Sequence, residues 1–80
     1  MNKSVTIYST PTCHFCQMAK EFLTEKNVEY KAYDVAGDAE KRQEMIKLTG
    51  QLGVPVIVVG GSIMVGFDRT RLAAKLGIEA

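Results

Sequence analysis

Two β-branched runs, VPVIVV (54–59) and SIMV (62–65), flank the pair Gly60-Gly61. A two-residue glycine linker tolerates the positive φ that tight hairpin turns require, so these runs are predicted to form an antiparallel hairpin. The N-terminal half follows a different pattern. Val5 and Ile7 alternate with Thr6 and Tyr8 as a strand that stops at Ser9-Thr10-Pro11. Phe15, Ala19, Phe22 and Leu23 then recur at helical spacing, between an N-cap at Thr12 and a stop at Asn27. VEYKAYDV (28–35) alternates again as a second strand. Gly37 and Asp38 cap a helix over Ala39–Thr49 that stops at Gly50; its apolar face is thin (Met45, Ile46, Leu48), so it should lie mostly on the surface. A last helix starts from Asp68 as N-cap, buries Leu72, Ala73 and Leu76, and ends at Gly77 with Ile78 placed for the closing apolar contact. Strand, helix and strand in succession imply a parallel pair with a right-handed crossover, whereas the hairpin must be antiparallel. The expected architecture is α/β: one domain over residues 1–80, order β-α-β-α-β-β-α, with a mixed four-stranded sheet flanked by helices.

At 80 residues the core is small, since folding hides only about 60% of the surface at this size. The 46% hydrophobic and 24% charged residues are nonetheless those of a globular chain that folds alone. Ten basic against nine acidic residues leave a net charge of +1, far from the excess that phosphate-backbone binding needs, so nucleic acid is not an expected partner. The longest uncharged apolar run, Val54 to Phe67, contains Pro55 and three glycines and falls short of the roughly 18 residues of a membrane span. The start MNKSVTIYST lacks the apolar stretch and cleavage site of a secretory leader. The expected location is cytoplasmic. In that reducing compartment a structural disulfide is unusual, and a bridge between residues three apart closes too small a loop to stabilise much.

Both cysteines nevertheless lie together, in TPTCHFCQMA (10–19). Helical residues at i and i+3 share a face, with Cα separations of about 4.4 to 6.8 Å that a disulfide can bridge, so Cys13 and Cys16 can close and open with little backbone movement. Cys13, at the helix tip, faces unsatisfied N–H groups and the positive end of the helix dipole, which favour thiolate over thiol. Cys16 lies a turn deeper, where burial disfavours charge. Cys13 is therefore the expected attacker and Cys16 the resolver of thiol-disulfide exchange. Zinc normally needs four ligands, and two cysteines with His14 beside the first do not supply them, so no metal is expected. Haem attachment would need His directly after the second cysteine, where Gln17 stands. His14 is either a contributor to the Cys13 thiolate or a solvated helix-start residue. Phe15 is either a substrate-facing ring or part of the helix's apolar face.

IYSTPTCHFCQMAK, GDAEKRQEMIKLTG, VPVI and GFD, in this order and spacing, together resemble the glutaredoxins of the thioredoxin superfamily, most closely the small bacterial members with two active-site cysteines. The resemblance implies a thioredoxin-like (glutaredoxin) fold, a disulfide oxidoreductase with no bound cofactor, glutathione as co-substrate, disulfide-containing proteins as further partners, and a monomer. It also implies a cis bond before Pro55 in a loop facing the cysteines, and a glutathione groove beside Cys13. There Thr10 and Phe15 flank the thiol, the Val54 backbone pairs with the tripeptide's cysteinyl portion, Arg42 meets the glycine carboxylate, and Phe67 with Asp68 holds the γ-glutamyl end at a helix start. A helix start is suited to a carboxylate on physical grounds as well. Where the family usually has Lys, Pro, Tyr, Thr and Gly, this chain has Thr10, His14, Phe15, Gly53 and Val65. Losing the lysine removes a cation beside both the thiolate and a glutathione carboxylate. GFD is similar to the glutaredoxin-like redoxins that accept electrons from thioredoxin reductase and serve ribonucleotide reductase, and other family members carry an iron-sulfur cluster between two subunits. Both stand as alternative readings.

Overall fold

The computed structural model describes residues 4–51 and 53–78. Residues 1–3, part of the start read above for a leader, lie outside these. Along the chain run β1 (Val5–Ser9), α1 (His14–Glu25), β2 (Lys31–Asp34), α2 (Ala39–Thr49), β3 (Val56–Val59), β4 (Ser62–Val65) and α3 (Arg69–Leu76). The sheet order is β2-β1-β3-β4, with β1 parallel to β2 and the other two pairings antiparallel. The mixed sheet and the element order are those expected from the pattern of periods.

Alternation in the strands sorts side chains onto two faces. On one face Val5 and Ile7 of β1, Ile57 and Val59 of β3 and Met64 of β4 meet Ala19, Phe22 and Leu23 of α1 and Leu72 and Ala73 of α3. On the other, Tyr8, Val35 and Val56 meet Met45, the buried residue of α2. Full burial of a Leu, Ile or Phe side chain is worth about 1.5–3 kcal/mol, so the α1/α3 face dominates the stability. Helix α2 relies more on polar contacts. The Tyr8 hydroxyl donates to the Glu44 carboxylate, Lys41 Nζ bonds Glu44 Oε2 at 3.2 Å, and the same ammonium lies 4.2 Å from the Tyr33 ring centroid. Burial, reinforced by the Glu44 contact, pushes the Tyr8 phenol up to about 12, so it stays a donor, while its hydrogen bond pulls the Glu44 carboxyl below its ordinary value.

Helix ends follow local chemistry. Asp38 and Asp68 accept from the N–H groups of Lys41 and Arg71, each at 3.1 Å. Asn27 adopts a left-handed φ of 58°, its N–H bonding Thr24 O at 3.1 Å and that of Val28 bonding Leu23 O at 2.8 Å. Ile78 closes α3 in the same way, its N–H on Ala73 O at 3.0 Å and its side chain against the main core. The expectation for β2 needs correction. Residues 28–30 are not part of the strand, because the Val28 amide is spent on the end of α1 and cannot enter the sheet ladder; Val28 and Tyr30 still pack against the core.

Candidate active site

Register decides which loops meet. Tyr8 pairs with Val56, and Val56 pairs in turn with Val65, so the segments leaving β1, entering β3 and leaving β4 all lie at one end of the sheet. Those segments are Thr10 to Cys13, Val54-Pro55 and Gly66 to Asp68. The Gly66 N–H donates to Pro55 O at 2.7 Å, with Gly66 at a φ of +87° that suits glycine. The Val54-Pro55 peptide is cis. Val35, whose N–H bonds Ser9 O at 2.9 Å, brings the end of β2 to the same place, and Arg42 Nη1 reaches Val35 O at 3.3 Å. The sheet thus brings the segments carrying Thr10, Cys13, Val54, Pro55, Phe67 and Asp68 to one end, with Arg42 reaching the neighbouring Val35.

Cys13, not Thr12, is the N-cap of α1. Its backbone is extended (φ −84°, ψ 112°), and its Sγ accepts the Cys16 N–H at 3.1 Å. The physical reason is that the turn Thr10-Pro11-Thr12 closes first, with the Cys13 N–H on Thr10 O at 3.3 Å, so the first residue free to cap the helix carries sulfur rather than a hydroxyl. A sulfur that accepts a backbone N–H at a helix start is held where negative charge is stabilised.

Both thiols are free; Cys13 is partly exposed and Cys16 fully buried. Burial, followed by the hydrogen bond to Cys13, pushes the Cys16 thiol up to about 11, with a backbone hydrogen bond from Thr10 and the charge of Lys20 acting the other way. The two sulfurs are therefore inequivalent in access and in surroundings. Iodoacetamide should label Cys13 first, with mass-mapped peptides as the readout. Because the Cys16 thiol is pushed up, its labelling should stay slow at neutral pH and climb as the pH is raised. Labelling of Cys16 before Cys13 would reverse the assignment.

Phe15 does not belong to the core face of α1: it is 56% exposed, lying edge-on to His14 at 5.7 Å between centroids. Arg42 is half-buried, and its bond to Val35 O uses one of five donors. Val54 is half-buried and Pro55 buried. Phe67 packs on Phe22, 6.1 Å between centroids, and Asp68 is engaged as the cap of α3. Thr10 is half-buried and contributes its backbone to both cysteines. Among the described residues no three His, Cys, Asp or Glu side chains cluster as a metal site, and no helix is long and apolar enough to cross a membrane. Sequence reasoning missed Lys20, although its spacing of four from Cys16 carries the signal. It also missed the link from Tyr8 to Glu44, which joins residues 36 apart and leaves no local trace.

Comparison with known proteins agrees with this geometry. The family model for glutaredoxin matches residues 5–64. An uncharacterized glutaredoxin-like 8.6 kDa protein in the rubredoxin operon of Clostridium pasteurianum is 46% identical over 68 residues, covering 85% of this chain and 91% of that protein. Glutaredoxin 3 of Escherichia coli is 38% identical over 65 residues, 81% of this chain and 78% of its own length. Among solved structures, the thioredoxin-like protein BC3987 superposes with a TM-score of 0.86 at 32% identity, covering 91% of this chain and all (100%) of that one. A C-x-x-C dithiol at a helix start, in this fold and with these relatives, is the equipment of a thiol-disulfide oxidoreductase, and the chain belongs to the glutaredoxin family of the thioredoxin superfamily.

Proposed function

We propose that the protein reduces disulfides of proteins, and mixed disulfides with glutathione, by a dithiol mechanism in which Cys13 attacks and Cys16 resolves. The observation that carries this is the inequivalence of the two sulfurs, one capping α1 in partial exposure and the other fully buried. The Cys13 thiolate attacks one sulfur of the substrate, forming a mixed disulfide and expelling the other sulfur as thiolate. The Cys16 thiolate then attacks Cys13 Sγ, releasing the bound half and leaving a Cys13–Cys16 disulfide. Two thiols are oxidised and one disulfide is reduced. Glutathione returns the pair to dithiol, in a reducing compartment that we take to be the cytoplasm.

Glutathione would lie along Val54 and reach the start of α3 at Phe67-Asp68, where the N–H groups of the first turn suit its carboxylate. Arg42, with donors left beyond the one on Val35 O, would take the other carboxylate. A second reading has a specific observation behind it: Thr10 brings no charge to the turn that holds both cysteines, and Arg42 is already tied to the backbone. A donor protein such as thioredoxin reductase would not need those cations. Turnover of a protein disulfide with glutathione plus its reductase, measured beside turnover with thioredoxin reductase, separates the two. We expect measurable turnover with glutathione; turnover only with thioredoxin reductase would replace glutathione in this scheme and point to a redoxin serving ribonucleotide reductase.

A further inference from the structure

We propose that Lys20 is the positioning residue of the second chemical step, its ammonium one helical turn from Cys16 favouring the negative charge that develops on that sulfur as it attacks the mixed disulfide on Cys13. This rests on the reading of Cys13 as attacker and Cys16 as resolver. Residues four apart on a helix lie one above the other, and helical side chains lean back toward the N-terminus, which places Lys20 one turn from Cys16 on the same side of α1. Lys20 is half-buried on α1, beside a sulfur with no exposure to water. Its helical neighbours at three and four residues are Cys16, Gln17, Leu23 and Thr24, none a carboxylate. Among the described residues it forms no ion pair, so its charge is not spent elsewhere.

Among the described residues, Cys13, the Thr10 backbone and Lys20 act on Cys16. Of these, burial and Cys13 oppose ionisation of Cys16, while Thr10 and Lys20 favour it. Once Cys13 is bound in a mixed disulfide its negative charge is gone. Among the described residues Lys20 is then the charged side chain left to favour ionisation of the buried thiol. In the step itself the Cys16 thiol gives its proton to solvent and its thiolate attacks Cys13 Sγ. The Cys13–Cys16 bond forms as the bond to the partner sulfur breaks, and that sulfur leaves with the electron pair.

Dithiobis(nitrobenzoate) reads both steps, because attack by Cys13 releases one coloured thionitrobenzoate and resolution by Cys16 releases the second. In stopped flow at neutral pH, Lys20→Gln should slow the second release roughly three- to tenfold and move the midpoint of its pH profile up by about half to one pH unit. The first release should stay within about twofold. Lys20→Arg should restore the second release, and salt should slow it in the unsubstituted protein but not in Lys20→Gln. An unchanged second release in Lys20→Gln, equal slowing of both releases, or equal slowing in the Gln and Arg variants would overturn the proposal. A single release from the unsubstituted protein, or a second release that survives Cys16→Ser, would instead overturn the resolver reading beneath it, and the role of Lys20 with it.

Discussion

Replacing Cys13 with serine should reduce disulfide exchange to background, whereas Cys16→Ser should leave the first attack intact and trap the partner on Cys13. A serine hydroxyl at position 13 could still accept the amide of residue 16, so the helix cap survives while the nucleophile is lost. In Cys16→Ser the backbone N–H that donates to Cys13 Sγ stays in place, and a serine hydroxyl can donate where the Cys16 thiol did, so the attacking sulfur keeps its electrostatic partners. Serine cannot resolve the mixed disulfide, because it cannot take the second place in a disulfide bond. Its hydroxyl also fits the space of a fully buried thiol, so the fold should tolerate it. Incubation with oxidised glutathione followed by intact-mass measurement should show one glutathione adduct on Cys16→Ser and none on Cys13→Ser. Equal loss of reaction in both variants would mean that either thiol can initiate.

Thr10→Lys should raise the rate of reduction by glutathione on the order of tenfold, about 1.4 kcal/mol. A charge-assisted hydrogen bond is worth about 1.5–3 kcal/mol, and partial exposure at position 10 brings the expectation to the lower end. The reason lies in the turn. The Thr10 carbonyl accepts the Cys13 N–H, so a side chain at this position starts from the turn that presents the attacking sulfur. A lysine there would supply a cation to the thiolate and to a carboxylate of the tripeptide. Rates measured at low and high salt should converge as screening removes the gain. No gain in the variant would mean that Thr10 does not limit the glutathione reaction, and would favour a donor that recognises the protein surface.

Much of the fold was legible because its signals are local. Asp38, Asp68, Asn27, Gly50 and Gly77 end helices through bonds that reach only a few residues, and the Gly60-Gly61 turn joins strands that touch it. Thr12 was misread as the cap because a hydroxyl is the usual choice, while the preceding turn in fact hands that position to a thiol. β2 was read too long because alternation does not reveal where an amide is already spent. Among the candidate site residues, the pairing of Cys13 with Cys16 and the cap at Asp68 followed from local pattern, but the bond from Arg42 to the Val35 carbonyl did not.

The sequence by itself determined the element order, the helix ends other than the start of α1, the hairpin and the placing of two thiols one turn apart at a helix start, since each depends on the conformational preferences of neighbouring residues. Only the tertiary structure decided that Cys16 is buried while Phe15 is exposed, that Arg42 spends a donor on Val35, and that Tyr8 is joined to Glu44. Those facts depend on how α1 is rotated against the sheet and on which strand ends the register brings together. Both are set by the packing of apolar faces from distant parts of the chain, an energy shared among many residues and assigned by no short stretch of them.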